Sequence, residues 1–259
     1  MNILIGDIGN TLTKICLLKT NNYQLKKIVF FNSKDINSRK ILSKILRKLI
    51  KNKPLQEIAL FSSVVPKYKS LIKKYLKTVY KINLREIREK EINKIIKINI
   101  KNKKQVGSDR IANAVGAFIK YKTNCIIVDF GTATTFDVVT KFGTYNGGII
   151  APGIKLSIKS LSSSADQIPN FFLKKQKKII GKNTIEALRS GFYWGYIGLI
   201  NNIILKIEKE TKKKYKIIFT GGYANLFKTS MIRRFYIDKN ITIKGIVEIL
   251  KYNKKILLK

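Results

Sequence analysis

Residues 3–18, ILIGDIGNTLTKICLL, read as an apolar strand ending in a carboxylate, a tight glycine turn and a hydroxyl-bearing return strand. A strand-end carboxylate such as Asp7 can hold Mg²⁺ directly or through water. Gly9 has no Cβ, so the backbone there can turn sharply and approach a bound group. Successive backbone N–H groups, with the Thr11 and Thr13 hydroxyls, can cradle phosphate oxygens, and Lys14 adds a positive charge. Taken alone, the stretch is equally an ordinary β-hairpin closed by an Asx-turn. What tips the reading is an echo half a chain length further on, Val128-Asp129-Phe130-Gly131-Thr132-Ala133-Thr134-Thr135. Carboxylate aligns with carboxylate and glycine with glycine. A pattern repeated at that distance predicts two like-built lobes facing each other, each with a phosphate-binding turn, and the boundary falls near residues 105 to 122.

Other routes to nucleotide binding are missing. The only Gly-Lys pair, Gly181-Lys182, is followed by Asn183, so no GxxxxGK[ST] loop exists, and no GxGxxG opens a helix. The chain has no histidine, which excludes a Ser-His-Asp triad, histidine metal ligands and the catalytic loop of protein kinases. Acid–base chemistry falls to carboxylates, lysines or tyrosines. Two cysteines, Cys16 and Cys125, each lie in an apolar run and read as buried free thiols.

Composition sets the outer bounds. An apolar fraction of 45% is that of an ordinary globular protein. No apolar run approaches the roughly 18 residues a membrane span needs. The N-terminus lacks a basic n-region and Asp7 interrupts its apolar stretch, so no signal peptide is expected and the cytoplasm is the default. The net charge is +38. The lysines are spread along the whole chain, which reads as background composition and not as one nucleic-acid-binding stripe; such a field still attracts anionic substrates.

Further along, a strand is expected over Lys26–Phe31, a helix over Ile41–Ile50, a strand over Glu57–Phe61 and a helix over Lys67–Leu76 after Pro66. The stretch Tyr80–Lys104 has little pattern. A helix is expected over Ser108–Tyr121, strand, turn and strand over Asn124–Val139, and a third strand over Thr144–Ile150. A long helix starts near Thr184 and runs past Ile207. A strand over Lys216–Phe219 leads into Gly221-Gly222 and a short helix.

Gly107-Ser108-Asp109-Arg110 precedes the Ser108 helix. Asp109 there is either a helix cap, half of a surface ion pair, or a general base for a hydroxyl attacking a γ-phosphate. Arg110 would bind an anionic group or hold Asp109 in place. Strand alternation puts Thr135 and Asp137 on one face and Thr134 on the other, with Asp137 readable as a solvated residue. Gly147 to Gly153 reads as a wall of turns that lets backbone approach a ligand. Asn183 or Thr184 caps the long helix, whose Ala187, Gly191, Gly195 and Gly198 form a smooth stripe open to a second helix or a second subunit. Thr220-Gly221-Gly222 is where an adenosine would be contacted in a two-lobed nucleotide binder.

In order, DIGNTLTK (7–14), GSDR (107–110), DFGTATTFD (129–137), GGIIAPG (147–153), KNTIEALRSGFYWG (182–195) and TGGYANL (220–226) resemble the type III pantothenate kinases of the acetate kinase, sugar kinase, Hsp70 and actin superfamily. The resemblance implies an α/β fold of two ribonuclease-H-like lobes with mixed sheets flanked by helices, the actin-like ATPase fold. The lobes would be residues 1–106, with the first hairpin, and 107–259, with the second hairpin and the long helix. It implies ATP-dependent phosphorylation of the 4′-hydroxyl of pantothenate, the first step toward coenzyme A. Asp7, Ile8, Gly9, Asn10, Thr11, Leu12, Thr13, Lys14 and Thr132 would contact ATP, with Mg²⁺ at Asp7. Asp109 would be the catalytic base, and Gly107, Ser108, Asp109, Arg110 and Thr184 would contact pantothenate. Asp129 would serve a monovalent cation, K⁺ or NH₄⁺. A cytoplasmic homodimer is implied, with no membrane and no nucleic-acid partner. The sequence departs from the family at Ile100, where a tyrosine usually stands, and at Lys103 and Gln105. A substrate-contacting hydroxyl is therefore missing or supplied elsewhere. The competing readings are a nucleic-acid-binding transcription accessory factor on the same fold, and a kinase for another small hydroxyl compound.

Overall fold

A computed structural model describes residues 1–89, 92, 95–228 and 231–258. The chain forms two compact units. The first comprises Met1–Lys120, Gly143–Tyr145 and Asn240–Lys259, and the second Tyr121–Phe142 and Asn146–Lys239. The chain thus passes between units more than once, where the sequence suggested one boundary at 106/107.

In the first unit, strands β1 (Asn2–Ile8), β2 (Leu12–Lys19) and β3 (Leu25–Asn32) form an antiparallel meander. Helix α1 (Arg39–Ile50) leads to β4 (Leu55–Ser63), and α2 (Pro66–Tyr80) to β5 (Asn83–Glu86). β4 runs parallel to β1 and β5 parallel to β4, giving the order β3-β2-β1-β4-β5. Both helices obey simple start and stop chemistry. The Ser38 hydroxyl accepts from Ile41 N to cap α1, and Pro66 occupies the first turn of α2, where no N–H is needed. Their apolar faces, among them Leu46, Leu49, Ile72 and Leu76, pack with Leu4, Leu17 and Phe61 in one core. Then come the two-residue β6 (Lys97–Ile98) and α3 (Ser108–Tyr121), at the limits expected. Within the poorly patterned stretch, Lys90, Glu91, Asn93 and Lys94 lie outside the described residues.

The second unit repeats the plan. β7 (Cys125–Phe130) and β8 (Ala133–Val139) form an antiparallel hairpin followed by β9 (Thr144–Pro152). After α4 (Ile154–Ser164) and α5 (Thr184–Thr211), β10 (Lys216–Gly221) lies parallel to β7, and β11 (Phe235–Ile237) parallel to β10. The order β9-β8-β7-β10-β11 is the order of the first sheet again. The second core joins Ile126, Phe136, Ile154, Tyr193, Ile200 and Phe219. The start of β9, residues 144 and 145, pairs in parallel with β6 and counts with the first unit.

The short helix expected after Gly222 is absent; residues 222–228 form successive turns. The helix α6 (Ile241–Tyr252), which the sequence did not announce, returns the chain to the first unit and packs on β1 and β4. Its buried Gly245 sits where a Cβ would lie 1.8 Å from Ala112 O, so α6 and α3 cross at backbone contact. A last turn, α7 (Lys254–Leu257), follows. No helix among the described residues is long and apolar enough to cross a membrane. Cys16 and Cys125 are free and buried, and burial pushes both thiols up to about 12.

Candidate functional site

The β1–β2 turn is built from backbone and braced by a hydroxyl the sequence did not single out. Gly9 N donates to Leu12 O at 3.2 Å, and a Cβ at Gly9 would lie 2.9 Å from that oxygen. Ser33 Oγ donates to Gly9 O at 2.7 Å, and Thr13 Oγ1 lies 2.8 Å from Ser33 Oγ. Thr13 is fully buried. Its hydroxyl, read from the sequence as a phosphate contact, instead supports the turn from behind. Ile8 is buried as well, whereas Asn10, Thr11 and Leu12 stand exposed at the tip. Asp7 is half-buried at the end of β1, with Lys14 directly across on β2.

On its other side, β1 pairs with β4, so that Asp7 stands beside Ser62 and Ile8 beside Ser63. Both serines reach α3. Ser108 Oγ donates to Ser63 O at 2.8 Å, accepts from Ser63 N at 2.7 Å, and accepts from Ser62 Oγ at 3.1 Å. One donor and two acceptor sites are then filled, which is the whole capacity of a hydroxyl. Ser108 is fully buried and therefore clamps the N-terminus of α3 to the end of β4. The sequence named it as a substrate contact; its hydroxyl has no bond left to offer.

The clamp sets Asp109. Its Oδ1 folds back to accept from Arg110 N at 2.8 Å. A Cβ on Gly107 would come within 2.5 Å of that oxygen, so glycine is what leaves the carboxylate room. Burial raises the proton affinity of Asp109 above the ordinary aspartate range, opposed by the hydrogen bond from Arg110 N and the nearby guanidinium. The result is a half-buried carboxylate made more basic at a helix N-terminus, joined through Ser108 and Ser62 to the strand end that carries Asp7. The Arg110 guanidinium lies 5.9 Å from the centre of the Tyr145 ring. Ile100 is half-exposed, just past β6.

In the second unit, Asp129 is half-buried at the end of β7 with Thr135 opposite it. Thr135 Oγ1 donates to Asp137 Oδ2 at 3.4 Å, which places the two on one face, as alternation required. Asp137 is fully buried, which corrects its reading as a solvated residue. Thr134 is buried on the other face, and its hydroxyl has no hydrogen-bond partner among the described residues. The turn is braced by glycines. Gly131 N donates to Ala133 O at 3.1 Å. A Cβ on Gly153 would lie 2.0 Å from Thr132 O, so the β9–α4 turn rests on the hairpin backbone. Gly221, at φ +85°, lies against Phe130, and Gly222 N donates to Phe130 O at 3.0 Å. The segments 147–153 and 220–222, read as ligand walls, thus converge on the Asp129 turn and shape it. Thr132 stays exposed.

Asn183 caps α5, accepting from Glu186 N at 2.9 Å, while Glu186 Oε2 accepts from Lys182 N at 2.8 Å. Thr184 is thereby left exposed in the first turn. With Ala187, Gly191, Gly195 and Tyr196 it lines a mostly apolar groove of ≈ 980 Å³ within the second unit. Nothing lies within 4 Å of a Cβ placed at Gly191, Gly195 or Gly198, so the small-residue stripe is an open surface in this chain.

A family model described as type III pantothenate kinase matches residues 3–206. A type III pantothenate kinase of Pelagibacter ubique is 50% identical over 245 residues, covering 95% of this chain and 97% of that protein. One of Citrifermentans bemidjiense is 34% identical over 248 residues, covering 96% and 88%. Among solved structures, a Campylobacter jejuni protein assigned to the Baf family of transcriptional activators aligns at a TM-score of 0.64 with 21% identity, covering 98% of this chain and all of that one. That likeness speaks to the fold alone.

Proposed function

Because the chain belongs to the type III pantothenate kinase family, we propose that it transfers the γ-phosphoryl group of ATP to the 4′-hydroxyl of pantothenate, the first step toward coenzyme A. The observation that carries this reading is Asp109: a carboxylate of raised proton affinity, fixed at the head of α3 by the Ser108 clamp and given space by Gly107. Such a group takes the proton from an attacking hydroxyl. Arg110 beside it receives the substrate carboxylate, and Thr184 offers an exposed hydroxyl. The Gly9 turn, with its exposed Asn10–Leu12 tip and Lys14, receives phosphate oxygens, and Thr132 adds a hydroxyl to the nucleotide.

Among the described residues, no group of three or more acidic or cysteine side chains could hold a metal. A Mg²⁺ ion arriving with the nucleotide needs few protein ligands, since phosphates and water supply the rest. Asp7, half-buried at the strand end beside the turn, fits that part. Bound there, Mg²⁺ would neutralise charge developing on the phosphate oxygens. Asp129, facing a hydroxyl across its hairpin, fits a monovalent cation, K⁺ or NH₄⁺. The open glycine stripe beside Thr184 fits a second copy of the chain, making the enzyme a homodimer, and free buried thiols accord with the cytoplasm.

The test is ADP release with ATP and Mg²⁺, with and without pantothenate and with and without K⁺. Turnover that requires pantothenate and rises with K⁺ is expected. Turnover with another alcohol but not with pantothenate would replace the substrate, and absence of K⁺ stimulation would remove the assignment of Asp129.

A further inference from the structure

The first unit contains three residues, Gly143–Tyr145, taken from a part of the chain that otherwise belongs to the second. Their attachment is built from several contacts. Gly143 O accepts from Lys97 N at 2.8 Å and Tyr145 O from Asn99 N at 2.9 Å, which is the pairing of β9 with β6. Gly143 sits at φ +71° with its α-carbon against the Phe118 ring, where a Cβ would lie 2.9 Å from that ring. Two helical turns earlier on α3, the Arg110 guanidinium stands over the Tyr145 ring. Tyr145 is 1% exposed, so the ring is among the most fully buried side chains of the molecule.

A guanidinium about 6 Å from an aromatic centroid is attracted by the negative ring face, and more strongly where water is excluded. An arginine side chain has several rotatable bonds, and a fixed platform removes much of the freedom it would otherwise lose on binding substrate. The neighbouring Asp109 is fixed by its own bond to Arg110 N and by the Ser108 clamp, neither of which involves the guanidinium.

We propose that Tyr145 is a positioning residue: its ring holds the Arg110 guanidinium in the orientation that receives the carboxylate of the substrate, and so sets selectivity for an anionic acceptor over a neutral one. The inference rests on the reading of Arg110 as the carboxylate anchor. Tyr145 touches neither substrate nor reacting atoms; it acts through Arg110. The ring and not the hydroxyl does this, so phenylalanine should serve and an aliphatic side chain should not.

Two acceptors separate the outcomes: pantothenate, and the analogue in which an alcohol replaces its carboxylate. Tyr145→Leu is expected to raise KM for pantothenate about tenfold, equivalent to about 1.4 kcal/mol, to change kcat less than about threefold, and to leave kcat/KM for the alcohol analogue near its starting value. Tyr145→Phe should restore the pantothenate KM to within about twofold. In an Arg110→Ala background, Tyr145→Leu should add less than twofold. Equal losses for both acceptors, or full additivity with Arg110→Ala, would show mere structural damage and overturn the proposal. If Tyr145→Leu does not fold, phenylalanines carrying one to three ring fluorines at 145 keep the shape while weakening the ring face. A pantothenate KM that stays flat along that series would equally sink it. Should the unaltered protein not phosphorylate pantothenate, the kinase reading fails by itself. The platform is then judged from the Arg110 Nε–H resonance, identified by its loss in Arg110→Lys: it must move in Tyr145→Leu and stay in Tyr145→Phe, and any other pattern rejects the platform.

Discussion

The two hairpins share a spelling and differ in build. In the first, Asp7 pairs with Lys14 and four residues separate the last pair, Ile8 and Thr13; in the second, Asp129 pairs with Thr135 and three residues separate Phe130 from Thr134. One residue of turn length therefore gives the first carboxylate an ammonium directly across the strand and the second a hydroxyl. The bracing differs too. Ser33 and Thr13 hold the first turn through hydroxyls, whereas Gly153 and Gly221 hold the second by bringing bare backbone against it. Next to the first hairpin, β4 hands on through the Ser108 clamp to an acid at a helix head; next to the second, β10 hands on to successive turns. The sequence echo thus yields two turns of like spelling, and local register and packing build them differently.

The inequality can be broken in steps. The largest effect belongs to the acid found only in the first unit: Asp109→Asn should lower kcat by about 10²–10⁴, the usual worth of a general base. Full activity in that variant would remove the asymmetry. The same change should stabilise the fold at neutral pH. Since burial raises the folded-state pKa of Asp109 above its unfolded value, the charged form is penalised in full above that raised value. The penalty vanishes as pH falls toward the unfolded value, and the Tm gain of the Asn variant should shrink with it. The acid limb of kcat/KM should lie above the ordinary aspartate range for the same reason.

Next in size are the paired changes Asp7→Asn and Asp129→Asn. Interactions with a charged group are worth about 1.5–3 kcal/mol, or roughly 10–100-fold. The first should weaken Mg-ATP use while leaving K⁺ stimulation in place, and the second should abolish K⁺ stimulation. Identical K⁺ profiles in the two variants would make the hairpins equivalent. Gly153→Ala forces a methyl against Thr132 O and should cost about 1–3 kcal/mol in denaturant unfolding, with a raised KM for ATP. Ser33→Ala, which removes the hydroxyl joining Gly9 O to buried Thr13, should cost about 1–2 kcal/mol, less than Gly153→Ala. A loss as large as that from Gly153→Ala would show hydroxyl and glycine bracing to be interchangeable.

Much of this molecule was legible in its residues. The apolar strand, carboxylate, glycine and hydroxyl order of residues 3–18 and 128–135 announced both hairpins, because alternation and glycine act locally. The limits of α3 and the start of α5 followed from local caps and periodicity. The α6 helix was not announced although its period is present: Lys244 and Lys251 are exposed and Glu248 half-buried along one face, while Ile241, Ile243, Ile246, Ile249 and Leu250 are buried around the rest. Strands β6 and β11, of two and three residues, exist only because neighbouring strands supply their hydrogen bonds.

The site divides the same way. The amino-acid order by itself determined which carboxylates stand at strand and helix ends, and that glycines flank them. Only the tertiary structure decided what each polar group does: that Thr13 and Ser108 spend their hydroxyls inside the protein, that Asp137 is buried, that Ser33 braces the first turn, that Ser62 and Ser63 hold the head of α3, and that the Tyr145 ring lies beneath Arg110. Glycine conformation and strand alternation are properties of a few neighbouring residues. A hydroxyl's partner is set by whichever segment the fold brings within about 3 Å, and no local pattern encodes that.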